Sequence, residues 1–512
     1  MKDDVAAAGC DGKDRSMSAH RYLAFDLGAE SGRAVVGTLD GSRISIREVH
    51  RFPNGPVEVS GRLHWDVFGL FEEIKRGLKI AAAVAPDIES IAVDTWGVDF
   101  GLLAEDGSLL GLPFAYRDPR NAAAMDEFVA RVGRARIYEL TGIQFLPFNT
   151  LFQLNALALD GSPALKSARR LLFMPGLFTY LLSGAEATDT TIASTSQLVD
   201  PRSGAWSEDL LGSLGVPKGL LGETIPPGTV VGRLRTDIAA EAGLGEIPIV
   251  AVAGHDTASA VAAVPAVRAK NWAYISSGTW SLIGIESPVP IISPETLRLN
   301  FTNEGGMGGR IRFLKNVTGL WLIAQCRKAW SGSRPASYED LLEAAAAEPP
   351  FEASIDPDDP AFLNPPDMPA AIRDFCRKTG QKVPATPGEI VRCALESLAL
   401  KYRYVLDDLS RIAPHPLQRI HVIGGGGRNR LLNRFTADAA GLPVVSGPVE
   451  ATAVGNILVQ ALALGRVRTI EEIRAIVADS AKQIVYEPEN AASWEAAYGR
   501  FRAFIQETGR HP

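Results

Sequence analysis

The chain has 512 residues and a mass of 54.8 kDa, too long for one ordinary core at roughly 150 residues per domain, so two large domains or three small ones are expected. Its 46% apolar and 22% charged residues exclude a disordered or fibrous chain. A net charge of -7 and a pI near 5.7 give no basic excess for nucleic acid, and no run approaches the roughly 20 apolar residues of a membrane helix.

Residues 1–20 are charged and lack the apolar stretch of a secretory signal, so they read as a disordered lead-in. The four cysteines are Cys10, Cys326, Cys376 and Cys393. None forms a C-x-x-C pair, and so few thiols suit a cytosolic compartment. Cys376 and Cys393 are expected to be reduced thiols.

In chain order, Tyr22–Asp26 is an apolar run ending in an acid and a Gly-rich turn. Ala34–Leu39 is the next strand, Asp40-Gly41 a hairpin signal, and Ile44–Val49 a third strand. Trp65–Val84 has the spacing of an amphipathic helix, with Val67, Leu70, Ile74 and Leu78 on one face. Ile91–Asp94 is a buried strand, and Ile247–Ala253 another, leading to a helix of small residues after Asp256. The theme then repeats: Trp272–Ile275 runs into Ser276-Ser277-Gly278-Thr279, and Trp280–Ile285 returns as its hairpin partner. Ser331–Pro384 reads as an irregular insertion. Thr386-Pro387-Gly388-Glu389 has the form of a capping box opening a long helix, with Val391, Leu395, Leu398, Tyr402, Val405 and Leu409 along one stripe. Ile420–Ile423 is a strand, and four glycines, Gly424–Gly427, precede a helix near Asn429. This alternation predicts an α/β fold with a duplicated pattern, two like domains facing across a cleft.

Five segments carry chemistry. Asp26–Arg33 places an acid at a strand end before a Gly and hydroxyl turn, which suits phosphate oxygens and Mg²⁺; a plain hairpin turn explains it equally. Ser276–Thr279 repeats that character in the second half, so a polyphosphate could be gripped from both sides. Gly424–Asn429 lets backbone approach a ligand, or is a tight strand-to-helix connection. Neither the P-loop nor the Rossmann pattern is present in its proper context, which argues against a dehydrogenase. Asp256 in Gly254–Ser259 sits at a strand end and helix start, either as a base for a substrate hydroxyl or as a helix cap. Asp94–Phe100 offers a Gly beside aromatic and polar groups, either a sugar platform or a bulge between strands. His421 reads as a hydrogen-bonded structural residue within a strand.

With these pieces assembled, the sequence resembles the FGGY carbohydrate kinases, of the actin-like, sugar kinase and heat-shock chaperone ATPase superfamily. The resemblance rests on Phe25–Arg33, Asp94–Phe100, Tyr116–Asp118, Gly142–Thr150, His255–Ala260, Ser276–Ser281, Asn303–Gly306, Leu314–Asn316 and Gly424–Asn429. The acid-Gly turns are generic to the superfamily. Thr95–Phe100 and Gln144–Thr150 are more specific, and they are similar to the branch that acts on L-rhamnulose.

The resemblance implies duplicated actin-like (ribonuclease H-like) ATPase domains, 21–258 on the sugar side and 259–495 on the nucleotide side, with a C-terminal tail over 496–512. It implies transfer of the ATP γ-phosphoryl group to the 1-hydroxyl of L-rhamnulose, with Asp256 as general base. Ala29, Glu30, Ser31, Gly32, Arg33, Thr279 and Gly425 take the ATP-contact positions. Gly97, His255, Asp256, Thr257 and Asn316 take the sugar-contact positions, and Asp26 matches the Mg²⁺-associated acid. The implied partner is a small-molecule ketose, with no nucleic acid and no membrane, in a cytoplasmic monomer or weak homo-oligomer. A kinase for another ketose such as L-fuculose, and a non-catalytic actin-like ATP-binding module, are the alternatives. One departure stands out: the family's nucleotide-contact Gln falls at Ala324, with Gln325 one position later.

Overall fold

A computed structural model describes residues 19–267, 271–330 and 337–507. The expected lead-in lies outside these residues, apart from Ala19 and His20, where the first strand begins. Two sheets dominate. In the first, His20–Leu27 pairs antiparallel with Ser31–Asp40, which pairs antiparallel with Arg43–Pro53. On its other side His20–Leu27 runs parallel to Ile88–Thr95, which runs parallel to Pro248–Ala251. The second sheet repeats this order. Trp272–Ser277 pairs antiparallel with Trp280–Ser287, then Ile311–Thr318, and runs parallel to Arg419–Ile423 and Val444–Ser446. The duplicated α/β architecture is therefore present, with Thr302–Gly305 as one extra edge strand on the second sheet.

Local rules explain several elements. The helix Val67–Val84 buries Val67, Leu70, Ile74 and Leu78, and Asp66 caps it by accepting from Gly69 N. Thr386 and Glu389 close the expected capping box on the helix Pro387–Ile412. All six residues of its stripe are buried.

Four expectations are corrected. The segment 331–384 is not irregular in its described part: Tyr338–Ala347 and Met368–Lys378 are helices, each with a side-chain N-cap, and each buries apolar residues against the core. The expected tail over 496–512 carries the helix Ala491–Glu507, which buries Tyr498, Phe501 and Ile505 in that core. Asp94–Phe100 is not a bulge: Ile88–Thr95 stays in the main sheet, while Phe100–Leu103 leaves it to pair with Arg170–Phe173. His421 is buried, but neither ring nitrogen has a hydrogen-bond partner; it packs edge-on against Trp272. Burial and the nearby arginines push its pKa down to about 4.

Cys376 and Cys393 lie on facing helices as free buried thiols in hydrogen-bond contact. No helix among the described residues is long and apolar enough to cross a membrane.

The two halves are joined at crossed helices. Asp256–Ala262 packs on Ala451–Ala463 so closely that a Cβ on Gly455 would stand 1.8 Å from the Ser259 carbonyl oxygen. From the second helix, Gln460 Nε2 donates to the Leu23 carbonyl oxygen at 3.1 Å and Oε1 accepts from Ser90 Oγ at 2.7 Å. These bonds fix the helix on the first sheet.

Candidate active site

A cavity of about 380 Å³ is lined from both halves of the chain. Ten of the expected residues border it: Ala29, Glu30, Ser31, Gly97, His255, Asp256, Thr257, Thr279, Asn316 and Gly425. Asp26, Gly32 and Arg33 do not, nor do Ala324 and Gln325. A Cβ on Gly32 would meet the Phe52 ring at 2.2 Å, so this glycine serves packing. Arg33 is held by Asp26 Oδ2, at 2.6 Å from Nη2, and by Glu450.

Three backbone turns meet at one end. In the first, Gly28 N donates to Ser31 O at 2.9 Å, and Asn54 Nδ2 braces the Gly28 carbonyl oxygen at 2.7 Å. In the second, Gly278 N donates to Trp280 O at 2.9 Å. The third begins at Gly424, whose φ of +81° suits glycine. A Cβ at Gly426 would stand 2.0 Å from Ser277 Oγ, so the second and third turns touch through a missing side chain. The first and second converge across the cavity, where Thr279 Oγ1 donates to Glu30 Oε1 at 3.3 Å.

Beneath the first turn, Asp26 and Asp94 stand opposite each other on neighbouring parallel strands. Burial lifts both carboxyls above the usual range; Arg33 opposes this at Asp26, and Asp26 adds to it at Asp94. Asp94 Oδ2 accepts from Asn456 at 2.6 Å, while Oδ1 is buried without a partner.

Aromatic rings line the same cavity. Trp96, Tyr116, Phe148 and Trp280 border the cavity beside Gly97. Asp99, fully buried, anchors this wall. It accepts from Trp65 Nε1 at 2.6 Å, Trp96 Nε1 at 2.9 Å, Gln153 Nε2 at 2.8 Å and Tyr116 N at 3.2 Å. Burial outweighs these donors and pushes its pKa up to about 7. Val98 adopts φ +68° and is held by Thr195 Oγ1, 3.1 Å from its N, so Gly97 is fixed at the turn.

Asp256 is the first residue of its helix and does not cap it; the N-cap is His255. Its Oδ1 accepts from Thr257 N and from Thr257 Oγ1, the latter at 3.0 Å, and the side chain stays 30% exposed toward the cavity. A carboxylate held this way, with one oxygen left open, can accept a proton from a hydroxyl. Gln144 and Glu304 also border the cavity, and the sequence did not single out either as a site residue. Both lie within strings that carried the family resemblance, which is the signal that could have flagged them.

Two models describing the FGGY family of carbohydrate kinases match the chain, the N-terminal domain over residues 21–263 and the C-terminal domain over 273–464. The rhamnulokinase of Bacteroides thetaiotaomicron is 47% identical over 485 residues, covering 95% of this chain and 99% of that protein. The rhamnulokinase of Pectobacterium carotovorum is 42% identical, covering 96% and 97%. Among solved structures, gluconate kinase from Lactobacillus acidophilus aligns with a TM-score of 0.79 at 16% identity, over 96% of this chain and 98% of that one. Plasmodium falciparum glycerol kinase with ADP aligns with a TM-score of 0.76 at 15% identity, over 96% and 98%. The duplicated sheets, the cleft between them and these matches agree, and the chain belongs to the FGGY family of carbohydrate kinases.

Proposed function

We propose that the protein transfers the γ-phosphoryl group of ATP to the 1-hydroxyl of L-rhamnulose, giving L-rhamnulose 1-phosphate and ADP. The observation that carries this reading is one cavity lined by phosphate-type turns, by aromatic and amide side chains, and by Asp256. The near-full-length rhamnulokinase relatives supply the sugar.

In this reading the backbone N–H groups of Ala29, Glu30, Thr279 and Gly425, at the tips of the three turns, hold the phosphates. Trp96, Gly97, Gln144 and Asn316 hold the ketose. Asp256 takes the proton of the attacking hydroxyl as the oxygen–phosphorus bond forms, and the bond to the ADP oxygen breaks.

The residues present fit a divalent cation. No Lys or Arg is among the described residues that line the cavity, and Asp94 Oδ1 is a buried oxygen without a partner. Neither Asp26 nor Asp94 borders the cavity and Arg33 already occupies Asp26 Oδ2, so the two acids would hold Mg²⁺ from behind the lining, through water. When bound, the cation would supply charge neutralisation for the phosphates.

For this chemistry the chain divides into a sugar-side domain, 21–258, and a nucleotide-side domain, 259–495, working as a cytoplasmic monomer or weak homo-oligomer. The test is ADP release with Mg-ATP across L-rhamnulose, L-fuculose, L-xylulose, D-xylulose, D-fructose and glycerol, with Asp256→Asn alongside. Preference for L-rhamnulose that the variant loses is expected; preference for another ketose would move the substrate, and no sugar-dependent release would remove the kinase reading.

A further inference from the structure

Arg312, on the strand Ile311–Thr318, is completely buried behind the cavity. Its Nε donates to the Gly305 carbonyl oxygen at 2.9 Å. Its Nη2 donates to Glu304 Oε2 at 3.0 Å and meets His255 Nδ1 at 3.0 Å. A guanidinium stays charged and has no lone pair to offer, so the histidine nitrogen must be the acceptor. The two hydrogens on Nη2 match these two acceptors. Nδ1 therefore carries no proton, and the ring proton is on Nε2. That nitrogen lies 3.5 Å from Asp256 Oδ1, a separation that a side-chain rotation can shorten, since catalytic hydrogen bonds are often long before substrate binds.

The groups around His255 are few. Asp256 faces it from its own helix, and Glu304 and Arg312 from two neighbouring strands. Asp189 accepts from the adjacent Gly254 N at 3.2 Å, but its other oxygen is taken by Thr191. Among the described residues only Glu304, 3.4 Å from Nδ1, would favour a proton there. It is farther than Arg312 and already receives a hydrogen from Nη2.

We infer that Arg312 is a positioning residue of this site: by donating to Nδ1 it keeps the His255 proton on Nε2, where it orients the Asp256 carboxylate. The opposite tautomer would turn a lone pair toward the carboxylate, and an imidazolium would pair with it and weaken it as a base. This rests on the reading of Asp256 as the base.

The test labels the histidines of the full chain with ¹⁵N and reads their tautomers by two-bond nitrogen–proton correlation at pH near 7.5. The chain has seven histidines, and the His255 signal is the one lost in His255→Gln. The Nε2–H form is expected in the native chain. In Arg312→Met it should give way, with kcat down about tenfold or more and the ATP KM within about twofold. An Nδ1–H or imidazolium signal in the native chain overturns the inference, and so does Arg312→Met keeping both the Nε2–H form and kcat. If Arg312→Met fails to fold because Glu304 is left uncompensated, the native spectrum decides alone. Normal turnover in Asp256→Asn would instead remove the base and leave the tautomer result standing.

Discussion

The side-chain amide of Gln144, in the first half of the chain, is clasped to Asn316 in the second. Gln144 Oε1 accepts from Asn316 N at 2.9 Å and from Asn316 Nδ2 at 3.1 Å, while Nε2 donates to the Asn316 carbonyl oxygen at 3.2 Å. Both residues border the cavity, so one side chain sets the width of its sugar end. Gln144→Leu leaves part-buried polar groups of Asn316 without this partner, at a cost of about 1–3 kcal/mol. The KM for the ketose should rise about tenfold to a hundredfold, with the ATP KM little changed. Steady-state kinetics with each substrate varied in turn checks this; an equal rise in both KM values would place Gln144 in general folding.

Asp256→Asn keeps the shape of the side chain and removes its basicity. Turnover should fall by about 10²–10⁴-fold. ATP affinity, measured by calorimetry, should survive, because the phosphate turns do not involve this carboxylate. Near-normal turnover would take Asp256 out of the role.

His421 should make stability depend on acidity. The folded chain keeps it neutral down to about pH 4, whereas the unfolded chain protonates it near 6.5. Between those values the unfolded state binds the extra proton, so stability falls as pH drops through that window and is unaffected above it. The full effect is roughly 3 kcal/mol. Urea midpoints at pH 7.5 and 5 should therefore differ less in His421→Leu than in the native chain. Equal differences would mean that the ring is protonated or hydrated in the fold.

Gly455→Ala should weaken the junction of the two halves. The added methyl meets the Ser259 carbonyl oxygen at 1.8 Å, and backbone on a packed helix cannot turn aside as a side chain would. Overpacking of this kind costs about 1–3 kcal/mol. A lower melting temperature is expected, together with a loss of kcat, because Asp256 starts the helix that must shift. An unchanged melting temperature would show that the crossed helices separate freely.

Much of the fold was legible because local physics decided it. The Asp40-Gly41 turn, the capping box at Thr386 and Glu389, and the stripe from Val391 to Leu409 each follow from spacing a few residues long. The helices at 338–347 and 368–378 were hidden by Pro and Ala content. Each is short, and packing against the core stabilises it more than propensity does. Phe501 and Ile505 were read as tail because nothing local shows that a distant core covers them.

Residue type and order along the chain were enough to read the duplicated α/β plan, the family, and ten residues that border the cavity, including Asp256 and Thr279. Which neighbours share a task depends on how the chain packs in space. That packing turned Arg33 to Asp26 and Glu450 and away from the cavity, gave Gly32 to the Phe52 ring, and brought Gln144 to Asn316 and Arg312 to His255. Those partners lie between 7 and 417 positions apart, or on the far side of a packed sheet. A hydrogen bond forms by distance and direction in space, and sequence separation carries neither.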